Sequence, residues 1–221
     1  ANVRTWFQVK CFSCYFNPPF YIIRLNPQKS IAMFDLQHYL ANNIQLINAA
    51  LDRRLPTAAE RPAALHKAMR YSVFAGGKRL RPILCLAAAK TIGPAEADSP
   101  ANNTSLTAAL AIEILHTYTL IHDDLPSMDD DALRRGQPTL HIVAGEANAI
   151  LAGDALLTMA FEWLAEVCAP PPYHPNQLGL ELARAAAQSA AASSHGPGSF
   201  KADYLDALYQ INPDNLREQA A

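Results

Sequence analysis

The sequence predicts an all-α fold, and three observations carry the prediction. Apolar residues recur at three- and four-residue steps, as in Leu36, Leu40, Ile44, Ile47 and Leu51, which share one face of a helix. No strand-like alternation of useful length occurs between residues 34 and 168. Proline and glycine punctuate the periodic runs at helix-length intervals. Together these describe a helical bundle around one core.

The elements follow in order. The first helix runs from about Phe34 past Leu51, and Pro56 and Pro62 bracket the loop after it. Pro62 suits a helix start, because a first-turn position has no partner for its N–H. Leu65, Met69 and Val73 continue the period until Gly76-Gly77 breaks it. Pro82 is expected to open a third helix, which Gly93-Pro94 closes. A polar link from Ala95 to Asn103 follows, with Thr104 or Ser105 as cap of the next helix. That helix runs to a group of aspartates. Gly145 precedes another, with Ile150, Leu157, Phe161 and Leu164 as its expected apolar face and Pro170-Pro171-Pro172 as its stop. Residues 178–194 are alanine-rich and helical in pattern, His195-Gly196-Pro197-Gly198 is a breaker, and Lys201–Gln210 suits a short helix. No repeat of solenoid period occurs.

Composition narrows the function classes. A net charge of −2 gives no global attraction to nucleic acid or anionic lipid. No unbroken apolar run approaches the ~20 residues of a membrane span. Four cysteines, widely scattered, do not form a disulfide framework, and a reducing, cytoplasmic compartment is expected. Cys85 and Cys168 read as small core residues. Cys11 and Cys14 make half a zinc site with no second pair. Residues 1–32 carry four basic residues and no acidic one. They read as an unrelated or disordered segment. A plastid transit sequence and non-native sequence upstream of Met33 are the two alternatives.

The chemistry concentrates in His122-Asp123-Asp124-Leu125-Pro126-Ser127-Met128-Asp129-Asp130-Asp131, followed by Leu133-Arg134-Arg135-Gly136. Two like charges about 5 Å apart repel by roughly 1 kcal/mol even in a water-like dielectric. Such a cluster calls for a neutralising partner. Carboxylate oxygens suit a hard divalent cation, and magnesium binds through one or two carboxylates plus substrate phosphate. Asp123 and Asp124 end a helix, where the dipole also favours a cation, and Asp129 can fold back past Pro126. Arg134 and Arg135 offer planar forks for phosphate oxygens. A diphosphate bridged to protein by Mg²⁺ satisfies both halves. A calcium loop fails on spacing: Leu125 stands where an oxygen ligand belongs, and counting from Asp129 puts Arg134 at the glycine position.

A second cluster, Gly76-Gly77-Lys78-Arg79-Leu80-Arg81-Pro82, lacks the nucleotide-loop pattern, since Arg79 follows Lys78 and Ser72 stands at the first glycine. What remains is a glycine turn, three cations and a helix start, which suit a metal-free diphosphate pocket. His116 lies seven residues before Asp123 on the same helix stripe, with Thr119 between them. Tyr118 and Thr119 are placed to line an apolar space below the aspartates.

These two clusters, with His116-Thr117-Tyr118-Thr119-Leu120-Ile121 and Gly145-Glu146-Ala147-Asn148-Ala149-Ile150-Leu151-Ala152-Gly153-Asp154, resemble the trans-prenyl diphosphate synthases of farnesyl and geranylgeranyl type. The similarity runs from about Phe34 to Trp163. It implies an isoprenoid-synthase-type helical bundle around a central cavity, a homodimer, and condensation of isopentenyl diphosphate with an allylic diphosphate. It implies that Asp123, Asp124 and Asp129 hold Mg²⁺ on the allylic diphosphate, which Arg134 contacts. Lys78, Arg81, His116 and Arg135 match the residues that bind isopentenyl diphosphate. Tyr118, five residues before Asp123, resembles the aromatic that limits product length, with Thr119 beside it. On that residue farnesyl diphosphate is the expected product and geranylgeranyl diphosphate the alternative.

The family pattern also includes a second aspartate-rich motif, a Gly-Gln segment and a Lys-Thr pair, and residues 164–221 contain none of them. The expected organisation is an unrelated segment at 1–32, the N-terminal part of a synthase domain at 33–168 and a divergent helical tail at 169–221. On this reading the chain is a truncated synthase. Its alternative role is a non-catalytic subunit beside a complete synthase.

Overall fold

The computed structural model of the chain describes residues 35–92 and 100–193. The expectations for residues 1–32, Gly93-Pro94, His195–Gly198 and Lys201–Gln210 lie outside the described residues. Residues 35–187 form one compact unit. The second unit, 1–34 with 188–221, is almost wholly outside the described residues.

Helix α1 (Leu36–Arg54) starts at Asp35, whose carboxylate accepts from the His38 N–H at 2.9 Å. Its buried face is Asn43, Ile47, Ala50 and Leu51, while Leu36 at the first turn is exposed. Helix α2 (Ala63–Phe74) follows Pro62 and buries Ala68, Met69 and Val73. Helix α3 (Leu80–Ile92) begins two residues before the expected Pro82. A proline in the first turn removes no helical hydrogen bond, so it does not have to be the opening residue.

Helix α4 (Pro100–Asp123) is the centre of the bundle. It already includes Pro100, so Thr104 and Ser105 lie inside the helix and neither is its cap. Proline suits the first turn of a helix, which places the start ahead of both. By length and composition the Asn103–Asp123 part is apolar enough to cross a membrane. Here it is a core helix: Ala109, Ala111 and Ile114 are fully buried and it packs on α3 and α6.

After the acidic turn comes an antiparallel pair, β1 (Leu133–Arg134) and β2 (Gln137–Pro138), with Arg134 opposite Gln137. Its turn residues Arg135 and Gly136 are both left-handed, at φ 53° and 77°. That geometry matches the right-handed twist of a two-residue hairpin. Helices α5 (Leu140–Ala144), α6 (Glu146–Ala165) and α7 (Gln177–Ser193) complete the described chain.

The largest helix contact is α4 on α6. It corrects the expected apolar face of α6. The buried residues are Ala149, Ala152, Gly153, Leu156, Ala160, Trp163 and Leu164, while Ile150 is exposed and Leu157 and Phe161 are half-buried. Small residues let two helix backbones approach, so the contact selects them over larger apolar ones. Cys85 packs against the core and burial raises its thiol pKa, but Cys168 is exposed, against expectation.

Candidate functional site

The end of α4 turns back on itself. The Asp129 N–H donates to the Asp123 carbonyl at 2.8 Å, and the Asp130 N–H donates to that of Leu125 at 3.1 Å. Pro126 sits in this turn, and the fold-back sets Asp129 beside Asp123. Burial, then the Asp129 charge, raises the Asp123 carboxyl above the usual carboxylate range. Asp124 is in a different state. It is buried, and Arg134 Nε donates to Oδ1 and Oδ2 at 2.7 and 3.0 Å while Nη2 lies 2.6 Å from Oδ1. The Asp124 bond raises the Arg134 pKa, and Asp131 adds a weaker pair at 3.6 Å.

The structure therefore brings Asp123 and Asp129 together and commits Asp124 to Arg134. Among the described residues no three His, Cys, Asp or Glu side chains are gathered for a metal ion. Two carboxylates still fit magnesium when substrate oxygens and water complete the shell. The raised Asp123 carboxyl marks where a cation would relieve repulsion.

The basic residues assemble around the opposite turn. Gly76 and Gly77 take φ 89° and 140°. A Cβ on Gly77 would lie 2.6 Å from Arg135 Nη1, which donates to the Gly76 carbonyl. Glycine is required there, and the loop is tied to the hairpin. Lys78 is exposed. Arg81 Nη1 lies 3.0 Å from His116 Nε2. Burial first, then Arg81, Arg135, Arg134 and Arg79, lowers the His116 pKa to about 3. The ring is neutral and accepts from Arg81 at Nε2, which puts its proton on Nδ1. Burial and the same guanidinium crowd lower the Arg135 pKa. A cavity beside Arg134 and Arg135 is lined also by Tyr71 of α2, Thr117 and Asp124 at α4, and Thr139.

Neutral His116 makes stability depend on pH. Its folded pKa lies below the unfolded value of about 6.5, so between the two the unfolded chain binds more protons. Nothing is lost above pH 6.5. Stability falls as the pH drops below that, by up to about 3 kcal/mol at pH 4. Chemical unfolding of the parent and a His116→Gln variant tests this. The parent should lose more stability than the variant from pH 6.5 to 4, and equal slopes would refute the assignment.

Two residues expected below the aspartates are placed differently from each other. The Thr119 hydroxyl donates to the His116 carbonyl at 2.8 Å. Tyr118 is half-buried, with its ring edge-on to His122 at 5.1 Å and 82°. His122 Nε2 lies 3.1 Å from the Ile150 carbonyl on α6 and 3.8 Å from the Asp154 carboxylate. A Cβ on Gly153 would overlap the His122 ring. Sequence reasoning passed over His122 and Gly153, although both stand inside the motifs it used. It also counted Arg79 as one of the three cations suited to the metal-free diphosphate pocket. The structure buries Arg79 against Glu113 at 2.7 Å.

Comparison with known proteins gives a consistent pattern. Residues 62–196 match the family described as polyprenyl synthetase. The large subunit 1 of the chloroplastic heterodimeric geranylgeranyl pyrophosphate synthase of Arabidopsis thaliana is 51% identical over 138 residues, covering 62% of this chain and 35% of that protein. Chloroplastic geranylgeranyl pyrophosphate synthase 9 of the same plant is 47% identical over 186 residues, covering 83% and 47%. The chain thus spans about a third to a half of the curated relatives it matches. Among solved structures, geranylgeranyl pyrophosphate synthetase of Pyrococcus horikoshii superposes with a TM-score of 0.61 at 33% identity, covering 72% of this chain and 46% of that one. An FPP/GFPP synthase of Zymomonas mobilis gives 0.55 at 37%, covering 69% and 52%.

Proposed function

From a chain that belongs to the polyprenyl synthetase family, we propose a short-chain prenyl transferase that joins isopentenyl diphosphate to an allylic diphosphate. The observation that carries this is the pairing of a strained acidic corner, Asp123 with Asp129, and a guanidinium cluster built from Arg81, Arg134 and Arg135. Asp123 and Asp129 would hold Mg²⁺, which when bound would supply positive charge to the allylic diphosphate. Asp124 takes the Nε and Nη2 side of Arg134 and so fixes the guanidinium, leaving Nη1 for that anion. Lys78, Arg81 and Arg135 hold the isopentenyl diphosphate, with neutral His116 orienting Arg81. The allylic C–O bond breaks and the diphosphate leaves with the electron pair. The isopentenyl double bond attacks the cation, and the carbocation so formed gives up a proton from a neighbouring carbon to the departed diphosphate, setting the new double bond. The cationic groups act where negative charge grows, and preorganised charge of this kind is the main source of rate enhancement.

Geranylgeranyl diphosphate is the product the relatives' names support. Farnesyl diphosphate is the second reading, favoured by the half-buried Tyr118 ring braced by His122. Product analysis with isopentenyl and dimethylallyl diphosphates and Mg²⁺ decides the reaction and the length together. Absence of turnover would favour the non-catalytic subunit. Tyr118→Ala is expected to lengthen the main product by at least one five-carbon unit, and an unchanged product would remove Tyr118 from the length control.

The partner we propose is a second prenyl synthase chain, as a homodimer or, like the Arabidopsis relative's name, a heterodimer. Exposed Ile142, Val143, Ile150 and Leu151 on α5 and α6 support such a contact. The relatives described as chloroplastic favour the plastid over the cytoplasm as the working compartment.

A further inference from the structure

Arg79 has no part in the reaction above, although it stands between two residues that do. Its side chain is 3% exposed. Its guanidinium reaches three helices. Nη1 bonds Glu113 Oε1 on α4 at 2.7 Å, Nη2 donates to the Val73 carbonyl near the end of α2 at 2.6 Å, and Nε donates to Asn48 Oδ1 on α1 at 3.0 Å. The backbone is left-handed, at φ 50°. That conformation costs any residue with a Cβ, and persists only where surrounding contacts over-determine it.

Stability alone does not account for this arrangement. A buried ion pair adds little over apolar residues of similar volume. A glycine would take the backbone without strain. What the three bonds supply is position. Lys78, one residue earlier, is exposed, and Arg81, two residues later, meets His116. The same loop is fixed at its other end by Arg135 on the Gly76 carbonyl. With its middle residue held by α1, α2 and α4, the loop has one path, and the cations on either side have one spacing.

We propose that Arg79 is a positioning residue for anion binding. By clamping the loop it presents Lys78 and Arg81, together with Arg135, to a single metal-free diphosphate. This rests on the reading that these residues take isopentenyl diphosphate.

The test is calorimetric titration of inorganic pyrophosphate, with divalent metal removed, into the parent chain and into Lys78→Ala, Arg79→Lys and Asn48→Ala. The parent is expected to bind. Lys78→Ala should bind about tenfold more weakly, through the loss of one charge-assisted contact. Arg79→Lys keeps the charge but not the three-way fork, so it should also bind about tenfold more weakly while melting cooperatively. In turnover it should raise the KM for isopentenyl diphosphate about tenfold with kcat and the allylic KM changed less than about twofold. A folded Arg79→Lys that binds pyrophosphate like the parent overturns the proposal. If that variant does not fold, Asn48→Ala decides, since it removes one bond of three. A loss of about threefold or more supports the clamp, and an unchanged affinity overturns it. A parent that does not bind pyrophosphate overturns the clamp and the pocket together. Pyrophosphate binding without prenyl transfer overturns only the reaction.

Discussion

Asp123→Ala is expected to lower kcat for the proposed prenyl transfer by on the order of 10³-fold, the scale of losing one preorganised electrostatic group at a reacting centre. Stability should move the other way. The Asp123 carboxyl is raised by burial and by Asp129, so the folded chain holds this charge at a cost. Its removal should leave the thermal midpoint unchanged or higher. Activity lost with stability kept is the signature of a group retained for chemistry. Initial rates with saturating Mg²⁺ and a melting curve on the same sample check both halves. A variant within tenfold of parental kcat would remove Asp123 from the proposed metal site.

Glu113→Ala is expected to have the largest effect on stability. It leaves the Arg79 guanidinium buried with its closest counter-charge gone. Breaking one side of a buried pair costs about 3–5 kcal/mol. For a unit of this size that lowers the thermal midpoint by roughly 10 °C. Removing both charges in Glu113→Ala/Arg79→Met should recover most of the loss, because no uncompensated ion remains. Melts of the two single variants and the double variant make a complete cycle. A Glu113→Ala chain that melts within a few degrees of the parent would show that the pair is screened.

The helices were legible because their core faces are periodic, as with Met69 and Val73 on α2 or Ile47 and Leu51 on α1. The α6 face was misread for a physical reason. Its packing against α4 selects alanine and glycine, which hydrophobic periodicity scores weakly, while Ile150 and Leu151 face outward. The hairpin escaped notice because two-residue strands have no period. The signal available was Arg135-Gly136, a pair that has to be left-handed to make so tight a turn. The acidic and basic clusters were visible as charge patterns. Their internal division was not. Sequence cannot distinguish Asp124, held by Arg134, from Asp123 next to it, nor buried Arg79 from exposed Lys78. Those differences come from burial and from partners 10 to 34 residues away.

Gly153 gives the site a mechanical property. Helix α6 meets the His122 ring with bare backbone, and the ring is bonded to the Ile150 carbonyl one turn away. No flexible side chain lies between them to absorb a displacement, and tightly packed interiors transmit strain over such contacts. A side chain added at Gly153 therefore has to displace the His122 ring in the last turn of α4. The turn of helix that carries Asp123 is thus seated on the backbone of α6.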